Sequence, residues 1–531
     1  MSHKDSEAIA PNAHRLLYAG FMAILAAGVG FSVRGGILGQ WAEKFGFTMS
    51  ELGSITGGGL TGFGLVIIIT SLFADRIGYG KIMIAAFVLH FLSAVLTLGT
   101  PAAFNAGGKD AAYWCLFFAM LIFSIGNGLC EAVVNPLTAT LFPKNKTHYL
   151  NILHAGWPAG LVLGGLASYF MAAKVDSSGT VIAPAVDWKI QMSLFLVPVI
   201  IYGGMLLGQK FPRSEAASAG VSTSQMIGTL FAPLMIFLLV IHAMVGYVEL
   251  GTDSWISKIT GSILSDPKSG LALFVYTSML MFILRFVAGP IVHRISPLGL
   301  LLVSAILGAI GLTMLGNAGT AIACVVAATV YACGKTFLWP TMLAVASERF
   351  PNGGAVSIGM MGGVGMLSAG LLGGPAIGFQ QDYFASHYLA QASTETFDRY
   401  KADKENVFLG FKTVGLNGAK VGILEDNGKE LERVSVLQKE AGVEDANQIA
   451  LDNWWANASQ FASEDKPRVV EAGIFGGKSA LRWTACIPMV MAVCYLLLII
   501  GFRLRGGYKA VHLTENPNLP DEPEALGTAE S

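Results

Sequence analysis

Glu131 and Asn135 stand four residues apart in the stretch GNGLCEAVVNP, and Pro136 follows at once. On a helix that spacing puts both side chains on one face, and the proline leaves a nearby backbone carbonyl without its usual donor. A carboxylate there can take up and release a proton, and the amide beside it can hydrogen-bond solute hydroxyls. The alternative is a structural tie from Glu131 to Arg285 or Lys335. His154 and Trp157 lie one turn apart; an indole face can stack on a pyranose, or the two can serve packing and gating at the inner interface. Glu249 and Asp253 repeat the four-residue spacing, with Trp255 next, and form either an acidic face or, for Asp253 and Trp255, an interfacial anchor. Lys335 and Trp339, ahead of Pro340, put a cation and an aromatic on one face. Arg285 is either the like-charged neighbour of Lys335 or the partner of Glu249. Arg34 is either a solute-binding cation or a side chain that snorkels outward.

These groups draw notice because of the segments that carry them. The chain has 531 residues, of which 53% are hydrophobic and only 13% charged, with a mean hydropathy of +0.58. That charged fraction is about half of what a soluble protein carries. Apolar blocks long enough to cross roughly 30 Å of hydrocarbon recur along it, near 16–38, 52–74, 82–100, 111–141, 149–172, 188–208, 229–257, 270–292, 298–316, 319–346, 354–378 and 480–502. The pattern predicts an all-α polytopic membrane protein with twelve transmembrane helices. An ionised side chain inside such a helix costs several kcal/mol unless it faces a cavity or a partner, which makes each one a candidate site. Counting along the helices puts Glu131, Arg285 and Lys335 near mid-membrane, Glu249 and Arg34 nearer the outer side, and His154 nearer the inner side.

Lys and Arg collect in alternate loops (Arg15, Arg76, Lys81, Lys144, Lys146, Lys210, Arg213, Arg294, Arg349, Arg503) and thin out in the others. That asymmetry places both termini in the cytoplasm of a cell (inner or plasma) membrane. The expected order is a cytoplasmic N-tail (1–15), a six-helix half (16–210), a linker (211–228), helices seven to eleven (229–378), an extracytoplasmic insertion (379–479), helix twelve (480–502) and a cytoplasmic C-tail (503–531). The insertion is polar, and its helix-forming residues from Asn427 to Ala441 predict some folded structure; a loop of that length is usually a functional lid or a small inserted domain, with a disordered insertion as the alternative. SLFADRIG (71–78) and GPIVHRIS (289–296) occupy the same place in the two halves, as a duplicated bundle requires.

Other classes fall away. A formal net charge of -1 leaves no basic excess for nucleic acid. The six cysteines sit in apolar segments without metal-ligand spacing, so no metal or cofactor is expected and they read as buried apolar residues. GGGLTG (57–62) lies in a spanning helix with no strand before it, and AGIFGGKS (472–479) lacks the first glycine of a phosphate loop.

The turn ADRIGYGK (74–81) resembles the cytoplasmic signature between helices two and three of the major facilitator superfamily, which marks Asp75 and Arg76 as residues of conformational ion pairing. GNGLCEAVVNP, the following LFP (141–143) and LNILHAGW (150–157) resemble helices four and five of the fucose and glucose/galactose permease branch, with a weaker echo in YVELGTDSWI (247–256). The resemblance implies two pseudo-repeated six-helix bundles and import of a monosaccharide or small saccharide by symport with H+ or Na+ through alternating access. Glu131 is then the cation-coupling group, and Asn135, His154, Trp157, Glu249, Lys335, Trp339 and Arg34 the solute-binding set, with Arg285 in an ion pair. Transport of an anionic solute such as a uronate is the alternative, favoured by Arg34, Arg285 and Lys335. A membrane receptor whose insertion senses a ligand is the remote one.

The loop charges predict that a cysteine introduced at Glu430 reacts with a membrane-impermeant thiol reagent on intact cells. Reaction only after lysis would overturn the orientation.

Overall fold

The computed structural model describes residues 10–47, 49–57, 59–175, 181–441, 446–511 and 513. The outermost parts of both expected tails, 1–9 and 514–531, therefore lie outside the described residues. Among those described, eleven helices are long and apolar enough to cross a membrane. One of them, Tyr79–Leu141, has 63 residues and non-helical torsions at Gly107 and Gly108. At 1.5 Å per residue it would be about 95 Å long if straight, some three times the hydrocarbon thickness. It folds back instead: His90 Nε2 lies 2.9 Å from Asn127 Oδ1, and the Cys115 thiol donates to the Leu96 carbonyl. The element supplies the third and fourth crossings, and the total is twelve.

The first crossing is Ala13–Phe45 and the second Gly59–Ser71, entered through Met49–Gly57. The fifth is Lys146–His154 followed by Gly156–Met171, and the sixth ends with Leu196–Leu206. The seventh runs Pro233–Gly246, a π-helical turn at Tyr247–Gly251, then Thr252–Ile263. The eighth, Pro267–Arg285, breaks and resumes at Ala288. The ninth begins beyond Ser296, where φ is +66°, and ends at Asn317. Gly78 holds the equivalent place between the second and third crossings with φ +91°, so the repeat seen in sequence is a repeat of backbone geometry. The tenth crossing is Ala321–Lys335 then Leu338–Arg349, and the eleventh Gly354–Ser368, a second π-helical turn at Ala369–Gly373, then Gly374–Ala392. The twelfth is Ala462–Thr484 then Cys486–Leu504.

Close helix crossings rest on missing side chains. A Cβ on Gly160 would stand 2.9 Å from Gly28 Cα, joining the fifth crossing to the first, and one on Gly251 would stand 2.7 Å from Gly373 Cα where the two π-helical turns meet. Such small-residue seams let helix backbones approach in a solvent that offers no hydrophobic driving force.

Three expectations change. The seventh helix begins at Pro233 rather than 229, because Thr223–Thr229 is a separate linker helix closed by a Ser222/Gln225 capping box. The linker is tied down, with Glu215 Oε2 2.5 Å from the buried Lys146 Nζ. Folded structure within 379–479 is present as expected, with Lys429–Ala441 helical, but its bounds change: the eleventh and twelfth crossings continue into it as Gly374–Ala392 and Ala462–Thr484 and pack on each other. Between them lie Thr394–Tyr400, an antiparallel hairpin (Asn406–Phe408 with Phe411–Thr413), Gly418–Asp426, Lys429–Ala441 and Ala446–Ala458. Leu389, Tyr400, Leu424, Val469 and Ala472 form their small core. Cys486, expected to be buried, is exposed.

The insertion is clamped by Asp465, fully buried, which accepts from Arg399 Nε at 2.7 Å, Arg399 Nη2 at 2.6 Å and Thr396 Oγ1 at 2.8 Å. That carboxylate holds the Arg399 guanidinium above its ordinary pKa. Asp465→Ala leaves three donors facing an empty site, at a cost of about 3 kcal/mol. Limited proteolysis is expected to open the chain between 401 and 417 faster in this variant; unchanged cleavage would show that the clamp is not what holds the insertion.

Candidate functional site

Glu131 and Asn135 face the fifth crossing. The Asn135 amide donates to Glu131 Oε2 at 2.6 Å, and its Oδ1 lies 2.8 Å from His154 Nε2, which must therefore be the donor. His154 ends its helix, and the chain breaks at Ala155 before resuming at Gly156. All three side chains are buried, and among the described residues no ion pair forms at Glu131. Trp157, one turn on, is half-buried and packs edge-on against Phe31 at 5.3 Å.

The other half answers with two ion pairs. The π-helical turn at Tyr247–Gly251 carries Glu249, whose Oε1 accepts from Arg285 Nη2 at 2.9 Å. Asp253 pairs with Lys335 on the tenth crossing. Wide turns of this kind cluster at functional sites because they misalign a carbonyl or side chain from the regular ladder; the Val248 carbonyl accepts from the Tyr331 hydroxyl at 2.7 Å.

Arg285 does more than pair. It is the last residue of its helix, its Nε donates to the Thr336 carbonyl at 3.0 Å, and its Nη1 donates to the His154 carbonyl of the opposite half. Thr336 and His154 both lie at helix breaks. Carbonyls at helix ends lack intrahelical donors and carry partial negative charge, which a guanidinium satisfies. One cation therefore joins the fifth, seventh, eighth and tenth crossings.

The halves also meet toward the face that carries the termini. Thr147 Oγ1 donates to Glu348 Oε1 at 3.0 Å, Asn151 Nδ2 to Thr341 Oγ1 at 3.3 Å, and the Gly289 amide to His148 Nδ1 at 3.2 Å.

Of the residues singled out from sequence, the structure gathers Glu131, Asn135, His154, Glu249, Arg285, Lys335 and, through Lys335, Asp253. Arg34 is elsewhere and does not snorkel. It is 1% exposed, with its guanidinium 3.9 Å from the Phe123 ring and Nη2 3.3 Å from Ser93 Oγ. Aromatic faces and a hydroxyl hold the charge inside the N-terminal bundle. Asp75 and Arg76 form no ion pair among the described residues. Arg76 Nε reaches Thr223 Oγ1 at 3.2 Å. Asp75 lies against the start of helix Gly354–Ser368, 3.3 Å from where a Gly354 Cβ would be. Burial pushes its carboxyl up, partly offset by the Ser214 and Tyr79 hydroxyls.

Trp339 is buried on the His242 ring at 4.6 Å. His242 was not singled out from sequence. It is fully buried, and among the described residues neither ring nitrogen has a hydrogen-bond partner. An imidazole inside the apolar run LLVIHAMVG was the available signal.

Removing one member of a buried ion pair strands the other, at a cost of about 3 to 5 kcal/mol, whereas replacing both is far milder. Lys335→Ala is expected to lower the melting temperature in detergent sharply, and Lys335→Ala/Asp253→Ala to restore most of it. A double variant no more stable than the single would show that the pair is not the relevant interaction.

A family profile described as Major Facilitator Superfamily matches residues 20–374. Among curated proteins none matches the sequence. Solved structures similar to this chain include the E. coli fucose:proton symporter FucP, at 16% identity with a TM-score of 0.55, covering 70% of this chain and 92% of that one. A bacterial homologue of the human lysosomal transporter Spinster gives 14% identity and 0.58, covering 94% and 99%. A human organic anion transporter gives 10% and 0.55, covering 91% and 100%. At these identities the likeness is one of fold, and it joins the twelve crossings, the repeated turn and the profile match in one conclusion: the chain belongs to the Major Facilitator Superfamily, a multi-pass membrane transporter and not an enzyme.

Proposed function

We propose that this transporter imports a neutral polar solute, a monosaccharide or small saccharide, by proton symport across the cell membrane, with both termini in the cytoplasm. One observation carries the reading: of the central carboxylates, Glu249 and Asp253 are bonded to cations and Glu131 is bonded to an amide. Holding an ionised carboxylate in a water-poor site is expensive without a counter-cation. Glu131 is then the group that exchanges a proton as access alternates. Asn135 and His154, linked to it, supply polar atoms for solute hydroxyls, and a fucose:proton symporter is among the solved structures that share this fold.

The cations bear on the choice of solute. Arg285 and Lys335 are each committed to a carboxylate, so an anionic solute would have to displace Glu249 or Asp253 to reach them. A neutral solute needs no such exchange. Uptake of labelled neutral and acidic sugars into vesicles separates the two. A wild-type protein that concentrates only the acidic ones would replace this reading with the anionic one.

Glu131→Gln keeps shape and hydrogen bonding while removing the titration. The variant is expected to lose accumulation against a gradient and to retain counterflow exchange of the same solute. Undiminished accumulation, still abolished by an uncoupler, would move the coupling site away from Glu131.

A further inference from the structure

The ninth and twelfth crossings leave a groove of about 480 Å³ between them, lined by Ile306, Ala309, Ile310, Thr313, Met314, Met489 and Ala492. Ala309 in its lining is buried, and Ile306, Ile310, Met314 and Met489 are exposed. Ile310 and Met489 are nearly half exposed, and the groove lies on helices long and apolar enough to cross a membrane. At that depth its outer surroundings are hydrocarbon.

One end of the groove is polar. Asn317 is seven residues from Ile310 and Arg482 seven residues from Met489, so both stand two turns along the helix faces that line it, about 10 Å away. Arg482 Nη1 donates to the Gly316 carbonyl at 3.0 Å, and Nη2 to Ser479 Oγ at 2.8 Å. These bonds fix the guanidinium plane. Gly316 permits the approach, since a Cβ there would stand 2.6 Å from Arg482 Cγ. Among the described residues no carboxylate pairs with Arg482, and its Nε–H remains unspent. Trp483 beside it is 57% exposed, as expected of an aromatic at the headgroup level.

We infer that this is a binding site for a glycerophospholipid in the leaflet on the insertion side, with one acyl chain in the groove and the phosphodiester on Arg482. A guanidinium with free donors matches a phosphate more closely than it matches water or a neutral lipid. The apolar slot supplies area and the cation supplies register, so the two features select a molecule that has both a chain and an anionic head.

The test uses the full-length transporter purified in detergent and stripped of lipid. Thermal unfolding is followed during titration with phosphatidylglycerol, phosphatidylethanolamine, diacylglycerol and soluble glycerol phosphate, alongside native mass spectrometry. Both phospholipids are expected to raise the midpoint and to be retained as a bound adduct. Diacylglycerol is expected to act more weakly, and glycerol phosphate not at all. Ile310→Trp, which fills the groove from an exposed wall, is expected to abolish the shift. Arg482→Gln is expected to weaken phospholipid binding about 10- to 100-fold, bringing it to the diacylglycerol level. Equal shifts in wild type and Ile310→Trp would overturn the inference. So would equal affinity for phospholipid and diacylglycerol, or a dimer crosslinked through a cysteine at position 310, which would assign the groove to a second copy.

Discussion

The Arg285 guanidinium is the interaction on which the centre of this protein depends. A fully buried cation must find compensation for its lost hydration, and here that comes from one carboxylate and two helix-end carbonyls. Those acceptors sit on three crossings other than its own, and the same cation lies where three helices break. The tenth crossing interrupts at Thr336, the fifth at Ala155 and the eighth just after Arg285 itself. Four residues after each carbonyl stands a proline, Pro158 after His154 and Pro340 after Thr336, so neither carbonyl has a helical donor, and without the guanidinium they would be unsatisfied in a medium with no water.

The distribution of strong and weak bonds follows from this. Both ion pairs, Glu249 with Arg285 and Asp253 with Lys335, lie inside the C-terminal bundle. Between bundles run single hydrogen bonds: Arg285 to the His154 carbonyl, Thr147 to Glu348, Asn151 to Thr341 and Gly289 to His148. A single hydrogen bond is worth about 1 kcal/mol net and somewhat more when one partner is charged, whereas parting a buried ion pair costs several times that. Halves that rock against each other can exchange the former and keep the latter, which suits the alternating mechanism proposed for this chain.

Much of the architecture was legible because it follows from solvent. Apolar blocks of the right length recur, and the repeated turn announced itself through SLFADRIG and GPIVHRIS, whose last positions, Gly78 and Ser296, both adopt positive φ. The charged candidates were legible for the same reason, since hydrocarbon makes each conspicuous. Their partners were not. Whether Arg285 meets Lys335 or Glu249 depends on which helix faces converge, and the π-helical turn at Tyr247–Gly251 changes that facing without a local sequence mark. Arg34 misled in the opposite direction. Nearness to a helix end allowed it to snorkel, but Phe123 and Ser93, remote in sequence, offered a closer refuge. The insertion's helical part near Asn427–Ala441 was legible from its residues, but its bounds were not, because hydropathy ends where the membrane does. Helix Ala462–Thr484 continues past that boundary on propensity and on packing against Gly374–Ala392.

What remains at the centre once the ion pairs are counted is one carboxylate, and its neighbours explain how it can be tolerated. Asn135 occupies Glu131 with its amide and hands its carbonyl oxygen to His154, so the chain from Glu131 to His154 is a line of donors and acceptors that remains satisfiable with the carboxyl either ionised or protonated. The backbone carbonyl of that same His154 is held by Arg285. A change in charge at Glu131 is thereby felt, through two hydrogen bonds and one residue's backbone, at the contact that joins the two bundles. On the proposed reading this is the physical route by which proton binding in one half biases the packing against the other.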